Sequence, residues 1–109
     1  MSLDVYLTVP PTEPETVHHG NITHNLTAMA DAAGIYKALW RPEEIGATKA
    51  RDVTPLLVAG LARLESRPEK FRALNPENGW GSYEGLVAFV RKYLNACLAY
   101  PDADIRVCR

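Results

Sequence analysis

The sequence predicts an α+β fold in which the N- and C-terminal β-strands pair in a small antiparallel or mixed sheet covered by three to five helices. Apolar and polar residues alternate at both ends of the chain, and apolar residues recur at three- and four-residue steps between them. Proline- and glycine-rich turns separate these segments. The 109 residues are a common length for one domain, so we expect residues 1–109 to form a single domain.

The first predicted element is a strand. Its apolar residues lie two apart and would share one face of a sheet: Leu3, Val5, Leu7 and Val9. Residues 10–20 follow, and their prolines lack backbone N–H groups, so we predict a solvent-facing connector there. Two strands alone are marginally stable and leave unpaired edges. We therefore expect the sheet to gain either a strand hidden in residues 10–20 or the same strand of a second subunit.

Three helices are predicted in the first half of the chain. The first starts near Ile22, with Asn21 or Thr23 as its cap, and ends at Gly34. The second spans residues 35–40 and is stopped by the Arg-Pro pair that follows. The third starts at Asp52 or Thr54, with a proline in its first turn, and ends near residue 66.

Two further helices and a strand are predicted in the second half. Pro68 begins a short helix to residue 74, with Phe71 and Leu74 directed toward the core. Ser82 caps the last helix, which runs to about residue 99 and has a strong apolar face. Alternating residues 104–108 predict the closing strand.

The charge of the chain disfavours two classes of partner. Twelve basic and thirteen acidic residues give a net charge of -1, which provides no overall attraction to nucleic acid or anionic membranes. The longest uncharged segment that looks buried, residues 56–62, is too short to span a membrane. No signal-peptide pattern is recognised at the start, so we expect a cytoplasmic protein with both cysteines reduced.

The most distinctive segment is Asn75 to Leu86, in which glycines flank Trp80 directly before the last helix. Aromatic and amide groups at the ends of elements are typical of binding surfaces. We therefore predict a ligand-binding site built from three regions of the chain. Its residues are Asn21, His24, Asn25, Trp40, Arg41, Asn78, Trp80 and Tyr83.

The histidines suggest a metal or proton-transfer site, but their spacing argues against metal binding. His18 and His19 would point to opposite faces of an extended segment, and no pair of histidines has helical metal-ligand spacing. The polar residues 21–25 at a helix start could instead bind an anion, or could simply cap the helix. We predict no metal, no cofactor and no catalytic residues.

Four phrases of the sequence resemble a family of small uncharacterised proteins of bacteria and their phages. They are residues 1–7 (MSLDVYL), 21–26 (NITHNL), 34–44 (GIYKALWRPEE) and 75–86 (NPENGWGSYEGL). The resemblance covers nearly the whole chain and implies an origin in a phage, prophage or other mobile element. It implies no activity, although small phage proteins often act by binding a host component.

We therefore expect a binding module, and a homodimer, that binds a protein partner or small ligand without catalysis. One alternative is a protein that sequesters a nucleotide-like molecule, with the base stacked on Trp80 and the phosphate near Asn21 or Arg41. Another is a small enzyme that acts on a phosphate-containing substrate, with His24 and Glu43 or Glu44 as acid and base. The absence of a recognisable catalytic motif favours the binding module.

Overall fold

A computed structural model of the chain describes residues 1–9 and 15–109, so the predicted connector over residues 10–14 lies outside the described residues. The fold is α+β, as predicted, with one antiparallel sheet in the strand order β2-β1-β3. Its strands are β1 (Ser2–Val9), β2 (Glu15–Thr23) and β3 (Asp104–Cys108). The predicted pairing of the terminal strands is confirmed, with Val5 opposite Val107.

Strand β2 supplies the predicted extension of the sheet from within the chain. Residues 15–20 form strand where we predicted a connector, and Ile22 lies in the strand rather than in a helix. The reason is tertiary, because β1 is the central strand and its backbone groups need partners on both sides. Pairing with β1 also places Ile22 opposite Leu3, and both side chains are buried.

Five α-helices lie between β2 and β3. They are α1 (Thr27–Ala32), α2 (Tyr36–Trp40), α3 (Ala50–Ser66), α4 (Pro68–Arg72) and α5 (Tyr83–Ala99), with 3₁₀ turns at His24–Leu26 and Pro42–Ile45. The helical segment after β2 thus starts later than predicted. Thr23 caps its first 3₁₀ turn by accepting a hydrogen bond from the Asn25 N–H, whereas Asn21 belongs to β2.

Helix α3 begins before the predicted residues. The Asp52 carboxylate accepts hydrogen bonds from the backbone N–H groups of Thr48 and Lys49, at 3.0 and 2.9 Å, and so satisfies donors upstream of the helix. Pro55 therefore lies in the helix interior and not in its first turn. The predicted cap of α5 is confirmed, because the Ser82 hydroxyl accepts from the Gly85 N–H at 3.0 Å.

Within residues 1–9 and 15–109, the helices cover one face of the sheet and leave the other open. The apolar side chains of β1 at Leu3, Val5 and Leu7 are buried beneath them. Helix α5 packs on β2 and on α3. The two long helices run antiparallel, because Arg91 pairs with Glu65 and Asp102 pairs with Arg51. Phe71 is buried as predicted, but Leu74 is 41% exposed, because the helix that contains Phe71 ends before Leu74. Among the described residues, no helix is long and apolar enough to cross a membrane.

Candidate functional site

The outer edge of β2 has no neighbouring strand among the described residues. The opposite edge of the sheet is partly covered, because the Ile105 N–H donates to the Thr48 carbonyl at 2.9 Å and Lys49 bridges to Asp104. An uncovered edge strand presents backbone N–H and C=O groups that can pair with another chain. Among the described residues, the edge of β2 is therefore the edge of the sheet with no strand or bridge beside it.

A cleft of about 300 Å³ runs between the β2 edge and α5. We call it the edge cleft, and its main lining residues are His18, Gly20, Asn21, Gly85, Phe89 and Lys92. The glycine at position 20 lets the strand approach α5 closely, since a Cβ there would lie 2.9 Å from the Phe89 ring. Phe89 gives the cleft an apolar wall, and Lys92 adds a positive charge.

A second cleft, of about 470 Å³, adjoins the first. We call it the Trp80 cleft, and it is lined by Met1, Ser2, Asn21, Thr23, Asn25 and Trp80. Asn21 borders both clefts, so together they form a continuous surface along the C-terminal half of β2. This surface contains three of the residues predicted from the sequence.

The loop before α5 holds Trp80 in an exposed position. The Asn78 side chain accepts a hydrogen bond from the Trp80 N–H at 2.9 Å and donates one to the Asn25 side chain at 3.3 Å. Gly79 and Gly81 adopt positive φ angles of 77° and 106°, which glycine adopts without strain. The indole is left 70% exposed, while its loop is tied to the segment that follows β2.

Two predicted site residues lie in the core instead. Trp40 is 2% exposed, with its ring stacked on that of Tyr36 at a centroid distance of 5.8 Å. Tyr83 is also buried, and its hydroxyl donates to the Leu64 carbonyl. Neither side chain reaches the two clefts, because each faces the interior from the end of its own helix.

His24 and Arg41 are likewise outside the clefts. His24 packs edge-on against the Trp40 ring at 6.3 Å, and its Nε2 atom is buried without a partner among the described residues. The Arg41 guanidinium donates to the Tyr36 hydroxyl at 3.1 Å and to the Glu44 carboxylate at 3.3 Å. Of the predicted residues, the structure thus brings together Asn21, Asn25, Asn78 and Trp80.

The open face of the sheet carries polar residues that the sequence reasoning missed. The Tyr6 ring stacks on the His19 ring with centroids 4.5 Å apart, and the Arg106 guanidinium lies 4.1 Å from the Tyr6 centroid. Asp4 is hydrogen-bonded by His19 and Asn21, and these bonds lower the pKa of its carboxyl. The sequence could have predicted this group, because residues two apart in a strand share a face, as Asp4 and Tyr6 do in β1 and His19 and Asn21 do in β2.

His18 and His19 lie on opposite faces of β2, as their adjacent positions predicted. The His18 ring faces the helices and stacks on Tyr93 at a centroid distance of 5.8 Å. Its partial burial lowers its pKa, and the charges of His19 and Lys92 act in the same direction. Within the described residues no three His, Cys, Asp or Glu side chains are grouped so that they could hold a metal ion.

The enzyme hypothesis pairs His24 with Glu43 or Glu44, but both carboxylates bind other side chains in the structure. Glu43 receives two hydrogen bonds from Arg109, at 2.6 and 2.9 Å, and this lowers the pKa of its carboxyl. Glu44 pairs with Arg41 and lies 3.7 Å from the Lys37 ammonium. In the described part of the chain, neither carboxylate is hydrogen-bonded to His24.

Comparisons of the chain with known protein families, with curated proteins and with solved structures gave no significant match.

Proposed function

We propose that this protein is a non-catalytic binding module that takes an extended segment of a protein partner as an additional strand on β2. The observation that carries the proposal is the uncovered β2 edge, bordered along its C-terminal half by the edge cleft and the Trp80 cleft. In strand addition, main-chain hydrogen bonds supply affinity and pockets for alternate side chains supply specificity.

The two faces of β2 would select different side chains of the added segment. Side chains on the helix side would enter the edge cleft, where Phe89 favours apolar groups and Lys92 favours an acidic group. Side chains on the other side would meet the polar groups of His19 and Asn21 on the open face of the sheet. Because successive side chains of a strand point to opposite faces, the bound segment should prefer apolar or acidic residues at every second position and polar residues between them.

Trp80 would anchor one end of the bound segment. Its indole is exposed, yet the Asn78 side chain binds the Trp80 N–H and the Asn25 side chain, so little ordering of the loop is needed on binding. Exposed tryptophans on preorganised loops are frequent energetic centres of interfaces.

The sequence of β2 lacks two residue types that commonly prevent an edge strand from pairing with another chain. Residues 15–23 contain no lysine and no proline, the residues that commonly keep edge strands from pairing with other chains. We further propose that the partner is a host protein and that binding takes place in the cytoplasm. The resemblance to small bacterial and phage proteins supports this setting.

Selection from a library of random linear peptides tests the proposal. A selected peptide is then resynthesised with single N-methyl groups at successive residues, each of which removes one backbone donor. Strand addition predicts that N-methylation weakens binding at alternate residues only, because alternate N–H groups of the peptide face β2. An equal loss of affinity at every N-methylated residue, or no loss at any, would contradict strand addition.

The contribution of Trp80 is tested with a matched pair of variants. Trp80→Ala should weaken peptide binding by about 2 kcal/mol, roughly 30-fold. Leu74→Ala removes an exposed apolar side chain outside both clefts and should leave affinity unchanged. Equal affinity of the two variants would refute the assignment of the Trp80 cleft.

The nucleotide hypothesis has less support in the geometry. Of the two residues proposed to lie near the phosphate, Asn21 lines the Trp80 cleft but Arg41 does not, and among the described residues no lysine or arginine side chain lines that cleft. A nucleotide that binds the native state would raise the melting temperature. A thermal shift that Trp80→Ala abolishes, together with failure of the peptide selection, would favour the nucleotide function instead.

A further inference from the structure

The outer surface of the α3–α5 pair carries two exposed stripes that run along the helices. Successive members of each stripe are four or three residues apart, a spacing that keeps side chains on one side of a helix. The α3 stripe consists of Arg51, Pro55, Val58, Ala62 and Glu65. The α5 stripe consists of Arg91, Asn95 and Leu98, and Asp102 continues it just beyond the helix.

The centre of this surface is apolar. Val58 is 50% exposed and Leu98 is 60% exposed, so both apolar side chains face solvent. Because α3 and α5 are antiparallel, with Glu65 in contact with Arg91, Val58 and Leu98 lie at corresponding levels of the two helices. No charged residue occurs in α3 from position 53 to position 62. Exposed apolar side chains rimmed by polar groups are a feature of protein interaction surfaces.

An ion pair closes each end of the apolar centre. At one end the Arg51 guanidinium binds the Asp102 carboxylate, and at the other end Arg91 binds Glu65 at 2.7 Å. The charge order is reversed between the ends. At the first end the cation, Arg51, is on α3 and the anion, Asp102, follows α5. At the second end the anion, Glu65, is on α3 and the cation, Arg91, is on α5.

We propose that this outer face binds the same face of a second copy of the chain. With a two-fold axis lying in the interface and perpendicular to the helices, each helix faces its own copy in antiparallel orientation. Arg51 then faces the partner subunit's Glu65, and Asp102 faces the partner subunit's Arg91. Val58 is seven residues from both ends of its stripe, so it lies on the axis and meets the partner's Val58.

The charge pattern selects a second copy over a different partner. A uniformly acidic or basic partner would be repelled by one member of each ion pair, whereas the two-fold operation places opposite charges against each other at both ends. The same operation covers the apolar centre with an identical apolar centre. This interface uses a different face of α5 from the one that borders the edge cleft, so dimerisation and peptide binding are separate properties.

The oligomeric state in solution tests the proposal. Sedimentation equilibrium at micromolar concentration should give twice the mass of the chain. Val58→Glu places two carboxylates together on the axis and should raise the dimer dissociation constant at least about a hundredfold. Leu74→Glu, at an exposed leucine outside this face, should leave the dimer intact. A monomeric wild type, or a dimer that Val58→Glu does not weaken, overturns the proposal.

A milder variant covers the case in which Val58→Glu fails to fold. Val58→Cys in a Cys108→Ser background should form a disulfide with its own copy under oxidation, because the axis places the two thiols together. Ala73→Cys in the same background lies at an exposed site on α4's C-terminal flank and should not crosslink. A crosslink rate no higher at position 58 than at position 73 contradicts the axis.

Charge exchange separates the proposed geometry from simple apolar association. Replacing Arg51 and Arg91 by Glu puts anions against anions at both ends and should dissociate the dimer. Adding Glu65→Arg and Asp102→Arg reverses every charge and restores all the pairs, so the dimer should return. Failure of the fourfold exchange to restore association, when its circular dichroism spectrum matches the wild type, would reject the two-fold arrangement.

Discussion

The Tyr83 hydroxyl donates a hydrogen bond of 2.7 Å to the backbone carbonyl of Leu64. This carbonyl lies in the last turn of α3, and the residue four positions later is Pro68, which has no N–H to offer. The first residue of α5 therefore supplies the donor that α3 lacks within its own sequence. The bond ties the end of one long helix to the start of the other.

Two conservative substitutions should have opposite consequences. Tyr83→Phe leaves the buried Leu64 carbonyl without its donor and should lower the free energy of unfolding by about 1 kcal/mol. Tyr93→Phe removes a buried hydroxyl that has no partner among the described residues, so it should be neutral or stabilising. Urea denaturation measures both values. Equal destabilisation by the two variants would contradict the assigned hydrogen bond.

The two helical glycines Gly60 and Gly85 should respond differently to alanine. A Cβ at Gly60 would lie 2.1 Å from the Ile35 side chain, so Gly60→Ala should destabilise the fold by about 1–3 kcal/mol through overpacking. A Cβ at Gly85 would lie 3.3 Å from the Ser82 hydroxyl, a contact that a shift of that hydroxyl by a few tenths of an ångström relieves, so Gly85→Ala should change stability by less than about 1 kcal/mol.

Thermal denaturation of both glycine variants checks this contrast. A double-mutant cycle of Gly60→Ala with Ile35→Ala adds a control, because the clash disappears when the Ile35 side chain is shortened. Additive effects in that cycle would show that the two side chains do not compete for the same space.

His18 should make the stability depend on pH in mildly acidic solution. Partial burial lowers its pKa below the ordinary histidine value of 6.5, with further contributions from the charges of His19 and Lys92. The unfolded chain therefore binds the proton more readily than the folded chain does, and stability declines as the pH falls below 6.5 toward the folded-state pKa. Above that range the ring is neutral in both states and contributes no pH dependence.

Melting temperatures measured between about pH 7.5 and about pH 5 would reveal this decline. His18→Gln keeps a polar side chain but removes the titration, so its melting temperature should fall less over the same range. An identical decline in the two proteins would mean that other groups cause the pH dependence.

Local patterns in the sequence were enough to predict most elements of the fold. The alternation at both termini gave β1 and β3, and the apolar spacing gave α5 with its Ser82 cap. These predictions succeeded because the side chains of each element fix its buried face without reference to distant residues. Strand β2 was harder to predict, because its outer groups are polar and its strand character comes from pairing with β1.

The candidate site also has parts that could be predicted from the sequence and parts that could not. The flanking glycines of Trp80 marked this loop as part of a predicted binding site, and the Asn78 side chain accepts locally from the Trp80 N–H, but its bond to Asn25 joins segments that are distant in the chain. Trp40 has the same chemistry at the end of another helix, yet the core encloses it. The sequence does not distinguish these two indoles, since burial depends on what packs against them.

The amino-acid sequence by itself determined the α+β class and the pairing of the terminal strands, because alternation and helical spacing act locally. Only the tertiary structure decided that Asn21 borders two adjoining clefts and that Val58 and Leu98 lie level on one outer face. The physical reason is that clefts and faces form between elements distant in the chain. Their geometry follows from the packing of α5 on β2 and α3.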